Sequence, residues 1–580
     1  MKKLIRQVII RIVAKTLFPS PFGRVGVGLL LFLLFSCDGY LEPEIVTSLT
    51  ETHVTTQYTY SRGRVSAIYN DLQNGFTNVG GAMMACASDE AEFTLESSSV
   101  HTFNRGSWNQ FNNPNNVWET YYRNIRRVNQ FLVTSANISL DMYADRPAVK
   151  ETYREEIERW LYEVRMIRAY HYFELIKRFG GIPLITRVTS IDDNFNDIPR
   201  NPLAECIQFI VDECDAASIV LPARYGSADL GRVTSVAALA LKSRVLLYAA
   251  SELFNNTDWA GVYAYPELIS LTGDRQARWQ AAANAAKAAI KLAEDNGYVL
   301  GTDYSALFGP NTHTNDEVIF SRRNGTTNNF EITNVSVGFD RGNSGTTPSQ
   351  NLVDAYEMRN GSKFDWNNPA HSSNPYANRD LRLGLTVVTN NSSYKGRPAE
   401  CWEGGRDGPP IFRASKTGYY LRKYVNEDLN LVADQRSVHS WVIFRLAELY
   451  LNYAEALNEA EPENSDIKIY IDKLRRRADN LPALPAGLSQ SQMRERIYNE
   501  RQVELAFEDH RFWDVRRWMI APDVLSAPLK GVKITRIAND QFDYSVIDVE
   551  SRVFQPKMYL YPIPQNEIYV AGKLVQNPLW

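Results

Sequence analysis

The chain has 580 residues, 44% of them apolar and 22% charged, with a formal net charge of −4. This composition is globular and excludes a disordered chain, and the lack of a basic run speaks against a nucleic-acid partner. The length calls for one large domain or two interleaved ones.

The first segment reads as an address. Lys2, Lys3, Arg6, Arg11, Lys15 and Arg24 precede seven apolar residues at 29–35, and no acidic residue occurs before Asp38. A cationic region and a short apolar region make a secretory signal. Seven apolar residues are far fewer than the ~20 of a membrane span. With Cys37 after Leu34, Phe35 and Ser36, the pattern resembles a bacterial lipoprotein box, cleaved before the cysteine and lipidated on its thiol. Losing residues 1–36 removes those six cations and moves the formal charge from −4 to −10. A Thr- and Ser-rich tether over 37–57 follows.

Val65, Ile68, Tyr69 and Leu72 share one face and predict a helix over 58–74. An Asn-rich loop at 101–116 holds Trp108, Asn109 and Asn112. Helix returns at 118–132 and again at 153–179, where Gly180, Gly181 and Pro183 stop it. Residues 192–197 start like a calcium loop but lack its glycine and its closing glutamate, so they read as a linker. Helices are predicted at 203–221, 233–254 and 279–296, with alanines at packing positions. Such spacing lets paired helices approach closely, as in arrays of 34-residue helix pairs.

From 301 to 432 Gly, Asn, Ser and Pro dominate, and short strands are predicted at 318–320 and 385–388. An ordered block this long needs a function. It carries Trp366, Tyr394, Trp402 and Arg406. Helices resume at 441–459, 467–478 and 491–518, and a Pro-rich tail at 560–580 is expected to pack back on the body. On the last helix Glu500, Arg501, Glu504, Glu508, Arg511, Asp514, Arg516 and Arg517 alternate in sign, predicting pairs at i,i+3 and i,i+4.

The remaining motifs are mostly negative. Cys206 and Cys214 would lie about 12 Å apart along a helix, too far for a disulfide. With Cys86, Cys401 and no CxxC, the reading is buried free thiols. No Walker A loop, GxGxxG, GxSxG or HExxH occurs, and no two histidines stand at i,i+4. No cofactor, metal or catalysis is therefore expected. A carboxylate pair assembled by the fold for glycoside hydrolysis stays open, although adjacent Asp89 and Glu90 would diverge on a regular element.

Several blocks, in order, carry a resemblance. They are CDGYLE at 37–42, the helix at 118–132, EVRMIRAYHYFELIKRFGGIPL at 163–184, and the helix at 231–251. PSQNLVDAYEMRNG at 348–361, NPYANRDLRL at 374–383 and RLAELYLNYAEALNE at 445–459 follow. IYNERQVELAFEDHRFWDVRRW at 497–518 and YPIPQN at 561–566 complete them. From Cys37 to the end, the chain resembles the SusD/RagB family of Bacteroidota outer-membrane lipoproteins. Leu381 departs from a proline usual at that turn.

The resemblance implies a mainly α fold of tetratricopeptide-like hairpins in a right-handed superhelical scaffold, with a loop-rich region containing short strands. It divides the chain into a signal peptide (1–36), a tether (37–57), an N-terminal region (58–300) and a C-terminal region (301–580). The last comprises ligand-facing loops (301–432), helices (441–518) and a tail (519–580). It further implies a surface-exposed, lipid-anchored lid on a TonB-dependent, SusC-type transporter in the outer membrane. Such a lid captures an oligosaccharide and does no chemistry. A peptide ligand, a surface glycosidase and a purely structural lipoprotein are the competing readings. Sugar C–H faces lie on aromatic rings, and hydroxyls need amides and guanidinium groups. Trp108, Asn109, Asn112, Trp366, Tyr394, Trp402 and Arg406 are therefore the ligand candidates, each set against the alternative of a loop residue packed on the body.

Overall fold

Small side chains at helical spacing let successive helices stack closely, and that stacking sets the architecture. The computed structural model describes residues 50–580 apart from 191, 478–480 and 539; the leader, Cys37 and most of the tether lie outside these residues. After α1 (Tyr58–Tyr69) come α2 (Trp118–Thr134), α3 (Pro147–Phe179), α4 (Leu203–Val220), α5 (Ser235–Ala250) and α6 (Arg275–Asp295). The array continues with α7 (Leu446–Ala460), α8 (Asp466–Arg477) and α9 (Gln490–Glu504), and α10 (Arg511–Arg517) follows. From α2 to α7 each helix packs on the one before, and α8 and α9 both pack on α7. Ala282, Ala283, Ala286, Ala289 and Ala293 of α6 are fully enclosed where α5 and α7 close on that helix. Among the described residues no helix is long and apolar enough to cross a membrane.

Local chemistry fixes the helix ends. Pro147 opens α3, and Thr234 caps α5 by accepting from the Ala237 amide at 3.1 Å. Gly180 ends α3 with φ +74°, and a Cβ there would lie 2.4 Å from the Leu268 carbonyl oxygen, so both backbone and space demand glycine. The tail does pack back: the Asn577 amide donates to the carbonyls of Phe179 (3.0 Å) and Tyr561 (2.7 Å). The four cysteines among the described residues are buried free thiols.

Three predicted elements differ, and one element was not predicted. The strand expected at 385–388 is only Val387–Val388, because Leu381–Thr386, capped by Asp380, is a short helix. Residues 441–445 begin no helix; they close a strand that pairs antiparallel with Val318–Thr327. The predicted helix 491–518 is broken between α9 and α10, where Phe507 (φ +61°) and Asp509 (φ +69°) are left-handed. A long exposed hairpin at the start of the tail was not anticipated. Among the described residues the strands of three residues or more are β1 (Ala91–Phe93), β2 (Val318–Thr327), β3 (Thr346–Pro348), β4 (Ser437–Arg445), β5 (Leu529–Ala538) and β6 (Gln541–Glu550). β1 pairs with β3, β2 with β4, and β5 with β6, all antiparallel.

The loop-rich block is an insertion between α6 and α7, and buried charges fasten it to the helices. Glu504 is fully enclosed and accepts from Arg445 (2.6 Å), Arg382 (2.8 Å) and Arg477. Arg445 also donates to Glu317 (2.8 Å) and Glu508 (2.7 Å), and Lys423 donates to Glu508 (2.7 Å). Burial alone would raise the Glu504 carboxyl, but the surrounding guanidinium groups outweigh it and hold it well below its usual range. Apart from Asp514–Arg517, and from Arg516, whose guanidinium donates to the Phe512 carbonyl (2.8 Å), these alternating charges pair between elements rather than along one helix.

Candidate functional site

The loop at 400–413 is a shelf held by buried hydrogen bonds and close glycine contacts. Asp407 is completely buried at its base. Its Oδ1 accepts from Ser336 Oγ (2.7 Å) and Arg397 Nη2 (3.0 Å). Its Oδ2 accepts from Arg397 Nη1 (2.6 Å) and the Glu400 amide (2.8 Å). The Arg397 guanidinium in turn lies 3.5 Å from the Phe339 ring centroid, a cation–π contact that fixes it from the other side. A Cβ on Gly408 would sit 2.0 Å from the Trp402 carbonyl oxygen, and one on Gly338 would sit 2.3 Å from that of Arg406. Larger residues cannot occupy these positions without moving the loop.

The shelf carries two of the predicted residues. Trp402 is half-buried, with its ring 5.1 Å from Phe542 of the hairpin and the Arg536 guanidinium 5.2 Å away. Arg406 is exposed and donates to Glu400 Oε1 from Nε (2.9 Å) and Nη2 (2.5 Å). Hydrogen bonding to Arg406 lowers the Glu400 carboxyl below its usual range. Beyond Trp402 the hairpin and the loops at 373–377 and 389–392 enclose a cleft of about 640 Å³. Tyr376, Phe542 and Tyr544 supply its rings, and Asn374, Asn390 and Gln541 supply its amides. Asn390 ties cleft to shelf: its Oδ1 accepts from the Cys401 amide (3.2 Å) and its Nδ2 donates to Tyr544 (3.4 Å).

The remaining candidates fall elsewhere. Trp366 is half-buried and donates from Nε1 to Asp354 (3.1 Å), in a segment that leads directly into the cleft wall. Tyr394 is fully enclosed, edge-on to Phe339 at 5.2 Å, and offers no face to a ligand. Trp108 is likewise enclosed, between Phe103 (4.9 Å), Tyr561 (5.2 Å) and Trp580 (4.7 Å). Both are packing residues here, because neighbouring rings already occupy their faces. Asn109 uses Oδ1 to accept from the amides of Phe111 (2.9 Å) and Asn112 (3.1 Å), closing a tight turn beside the C-terminal tail. The 109–112 turn and the shelf thus pack on different elements and do not form one site.

Sequence reasoning missed Phe412, whose side chain at the shelf tip is 81% exposed. Arg413 beside it donates to Asn343 (2.7 Å) and lies 5.2 Å from the Phe412 ring centroid. An aromatic after Gly408-Pro409-Pro410, followed by arginine, was the available signal. It also missed Phe542 and Tyr544, whose alternation on β6 places both rings towards the cleft. Carboxylates at the shelf are all engaged by cations: Glu400 by Arg406, Glu403 by Lys533 (3.1 Å) and Asp407 by Arg397. Asp89 and Glu90 lie in the interior, Asp89 on Arg511 (2.8 Å), and Glu90 pushed up to about 8 by burial and by Asp89. Among the described residues no three His, Cys, Asp or Glu side chains are grouped to hold a metal ion.

Fold and site together define a helical-repeat scaffold that presents a loop-built, aromatic and amide-rich surface. Residues 311–580 match the profile of the SusD family, and residues 82–247 match a second profile described as starch-binding associating with outer membrane. The SusD-like protein P25 of Formosa agariphila is 24% identical over 94% of this chain and 96% of its own. A crystal structure of a SusD-like protein from Bacteroides fragilis superposes with a TM-score of 0.76, at 27% identity over 93% of this chain and all of that one. A laminarin-binding SusD-like protein superposes with a TM-score of 0.61, at 20% identity over 90% of this chain and all of that one. The chain belongs to the SusD/RagB family.

Proposed function

We propose that this chain is a surface lipoprotein of the outer membrane that captures an oligosaccharide and passes it to a TonB-dependent, SusC-type transporter. The shelf at 400–413 and the adjoining cleft are the capturing surface. Trp402, Phe412, Tyr376, Phe542 and Tyr544 are its stacking faces, and Asn390, Arg406 and Arg413 serve ligand hydroxyls. Trp366 is an outlying contact for a longer glycan, and Asn109 and Asn112, in a separate turn, are not part of this surface. The observation that carries this reading is the anchoring of the shelf by buried Asp407, which leaves little order to be lost on binding.

Binding without catalysis is favoured because each shelf carboxylate is already committed to a cation. A glycan is favoured over a peptide by the open amide-lined cleft and by the laminarin-binding relative. Cys37 carries the lipid, and the tether ahead of Glu51 lets the body lift from the transporter mouth while staying attached; the tether expected over 37–57 ends sooner, because Glu51–Thr56 is a helix held to the body by the Ser139 amide donating to the Thr56 carbonyl (2.8 Å). Quenching of tryptophan fluorescence by a panel of oligosaccharides tests the proposal. One glycan class should quench the wild type and bind at least tenfold more weakly to W402A and F412A. Binding of peptides but no glycan would refute it.

A further inference from the structure

A groove lies on the helical side of the molecule, between the first half of α2, the segment at 183–198 and the tail, and it shares no residue with the shelf. Its volume is about 390 Å³. Trp118, Tyr122, Ile125, Ile185 and Leu574 make its floor apolar, and the Tyr122 hydroxyl already donates to the Pro183 carbonyl (2.9 Å). The wall at 185–189 is fixed, because its carbonyls accept from α2: Ile185 (2.8 Å) and Arg187 (3.0 Å) from Asn129, and Thr189 (3.2 Å) from Arg126. A preformed apolar groove of this size suits apolar side chains.

The rim divides by charge along α2. At the start of the helix Glu119 stands near Glu567, whose carboxyl is raised above its usual range by burial and by Glu119. Arg123 follows, 3.5 Å from Glu119, and Arg187 across the groove is held by Asp193 (2.6 Å). Nearly a turn further on, Arg126 donates to the Thr189 carbonyl and pairs with no carboxylate among the described residues. This cationic end lies towards the place where the described chain begins. The short helix Glu51–Thr56, capped by Thr50, rests on α2 and on the turn Ser135–Asn137 that follows it.

We infer that the segment ahead of Thr50, residues 38–49, docks in this groove. It carries Asp38, Glu42 and Glu44 and no cation, and its apolar residues begin with Tyr40 and Leu41. A dozen extended residues reach roughly 40 Å, whereas α2, with 17 residues, is about 25 Å long, so Tyr40 and Leu41 can pass Arg126 and reach Trp118. Pro43 biases Glu42 towards an extended backbone, the form that a narrow groove takes. Glu42 and Glu44 then meet Arg126, while Tyr40 and Leu41 cover the apolar floor. Because the segment belongs to the same chain, its effective concentration at the groove is on the order of millimolar, and modest contacts suffice. Docked, it holds this face towards the membrane; released, it lengthens the leash. The inference rests on the tether of the proposed function and is independent of glycan binding.

Photo-crosslinking tests the docking. Benzoylphenylalanine replaces Tyr40 in the mature chain carrying C37S, and the crosslinks formed on irradiation are mapped by mass spectrometry. The expected result is crosslinks within one chain to 118–126, 183–198 or 565–574. A571F, which fills the groove, and R126E, which reverses the charge at its near end, should each lower their yield at least fivefold while the circular dichroism spectrum stays unchanged. Crosslinks that fall only elsewhere on the body, that join two chains or that do not form overturn the inference, as does an unchanged yield in either variant. Glycan quenching of tryptophan fluorescence, read on the same chains, reports on the shelf separately. Crosslinks without quenching refute the glycan reading alone, and quenching without crosslinks refutes the docking alone.

Discussion

The shelf should loosen when the charge of Asp407 alone is removed. In D407N the side chain keeps its shape, but one of its two positions becomes an amide nitrogen. Each Asp407 oxygen now accepts two donors, so either amide orientation sets the new N–H₂ against two of Ser336 Oγ, Arg397 and the Glu400 amide. Breaking a buried ion pair from one side costs about 3–5 kcal/mol. The low end applies, because Arg397 is 18% exposed and keeps its bond to the Gly338 carbonyl (2.8 Å). About 3 kcal/mol corresponds to a roughly 150-fold larger open population. Hydrogen exchange by mass spectrometry reads this directly: amides at 400–413 should exchange roughly 150-fold faster, while those of α3 and α6 stay unchanged. Equal exchange in the shelf of wild type and D407N would show that Asp407 does not hold the shelf.

Replacing Arg445 by methionine strips a cation from Glu317, Glu504 and Glu508 at once. A loss of about 3–5 kcal/mol is expected in urea unfolding monitored by circular dichroism. For Glu550, burial raises the carboxyl, but the His101 ring, its Nδ1 3.7 Å away, and the charge of Arg552 outweigh it and bring it to about 2, against 4.5 unperturbed. That lowered carboxyl contributes at most about 3 kcal/mol. Its contribution is complete above about pH 4.5 and is lost as the pH falls towards 2. The His101 ring is raised from 6.5, chiefly by the Glu550 carboxylate 3.7 Å from its Nδ1, so its share is complete below that value and fades as the pH rises through the folded-state pKa. Urea midpoints should therefore show the wild-type advantage over E550Q greatest between about pH 4.5 and 6.5. C37S should lose palmitate labelling and leave the membrane fraction, and a labelled C37S chain would refute the lipid anchor.

Long-range structure was legible wherever one face of a helix is buried. Gly180 stops α3 where the sequence predicts, and the order of α3 and α6 follows from spacing, but both helices start earlier than predicted, at Pro147 against 153 and at Arg275 against 279, because their first turns lack the apolar face that spacing reads. Residues 441–445 misled because strand β4 runs straight into α7 and both are wholly buried, which erases the alternation that separates the two periods. The charges from Glu500 to Arg517 have helical spacing, yet their partners Arg382, Arg445 and Glu455 are distant in sequence, and only the fold supplies them.

The site was only partly legible for the same reason. Trp402 and Arg406 reach the surface because Asp407 and the glycines force the loop outward, whereas Trp108 and Tyr394 carry the same local signal and are covered by distant rings. Phe412 stands out only once its exposure is known. Amide-rich loops announce a binding surface, but which aromatics face outward is decided by tertiary neighbours.

The central claim is capture without cleavage at the shelf. Isothermal titration of the mature chain and of W402A with the best glycan of the panel, with parallel measurement of released reducing ends, tests it most directly. The account predicts saturable binding by the wild type, at least tenfold weaker binding by W402A, and no new reducing ends. Equal binding by both chains, or steady release of reducing ends, would contradict it.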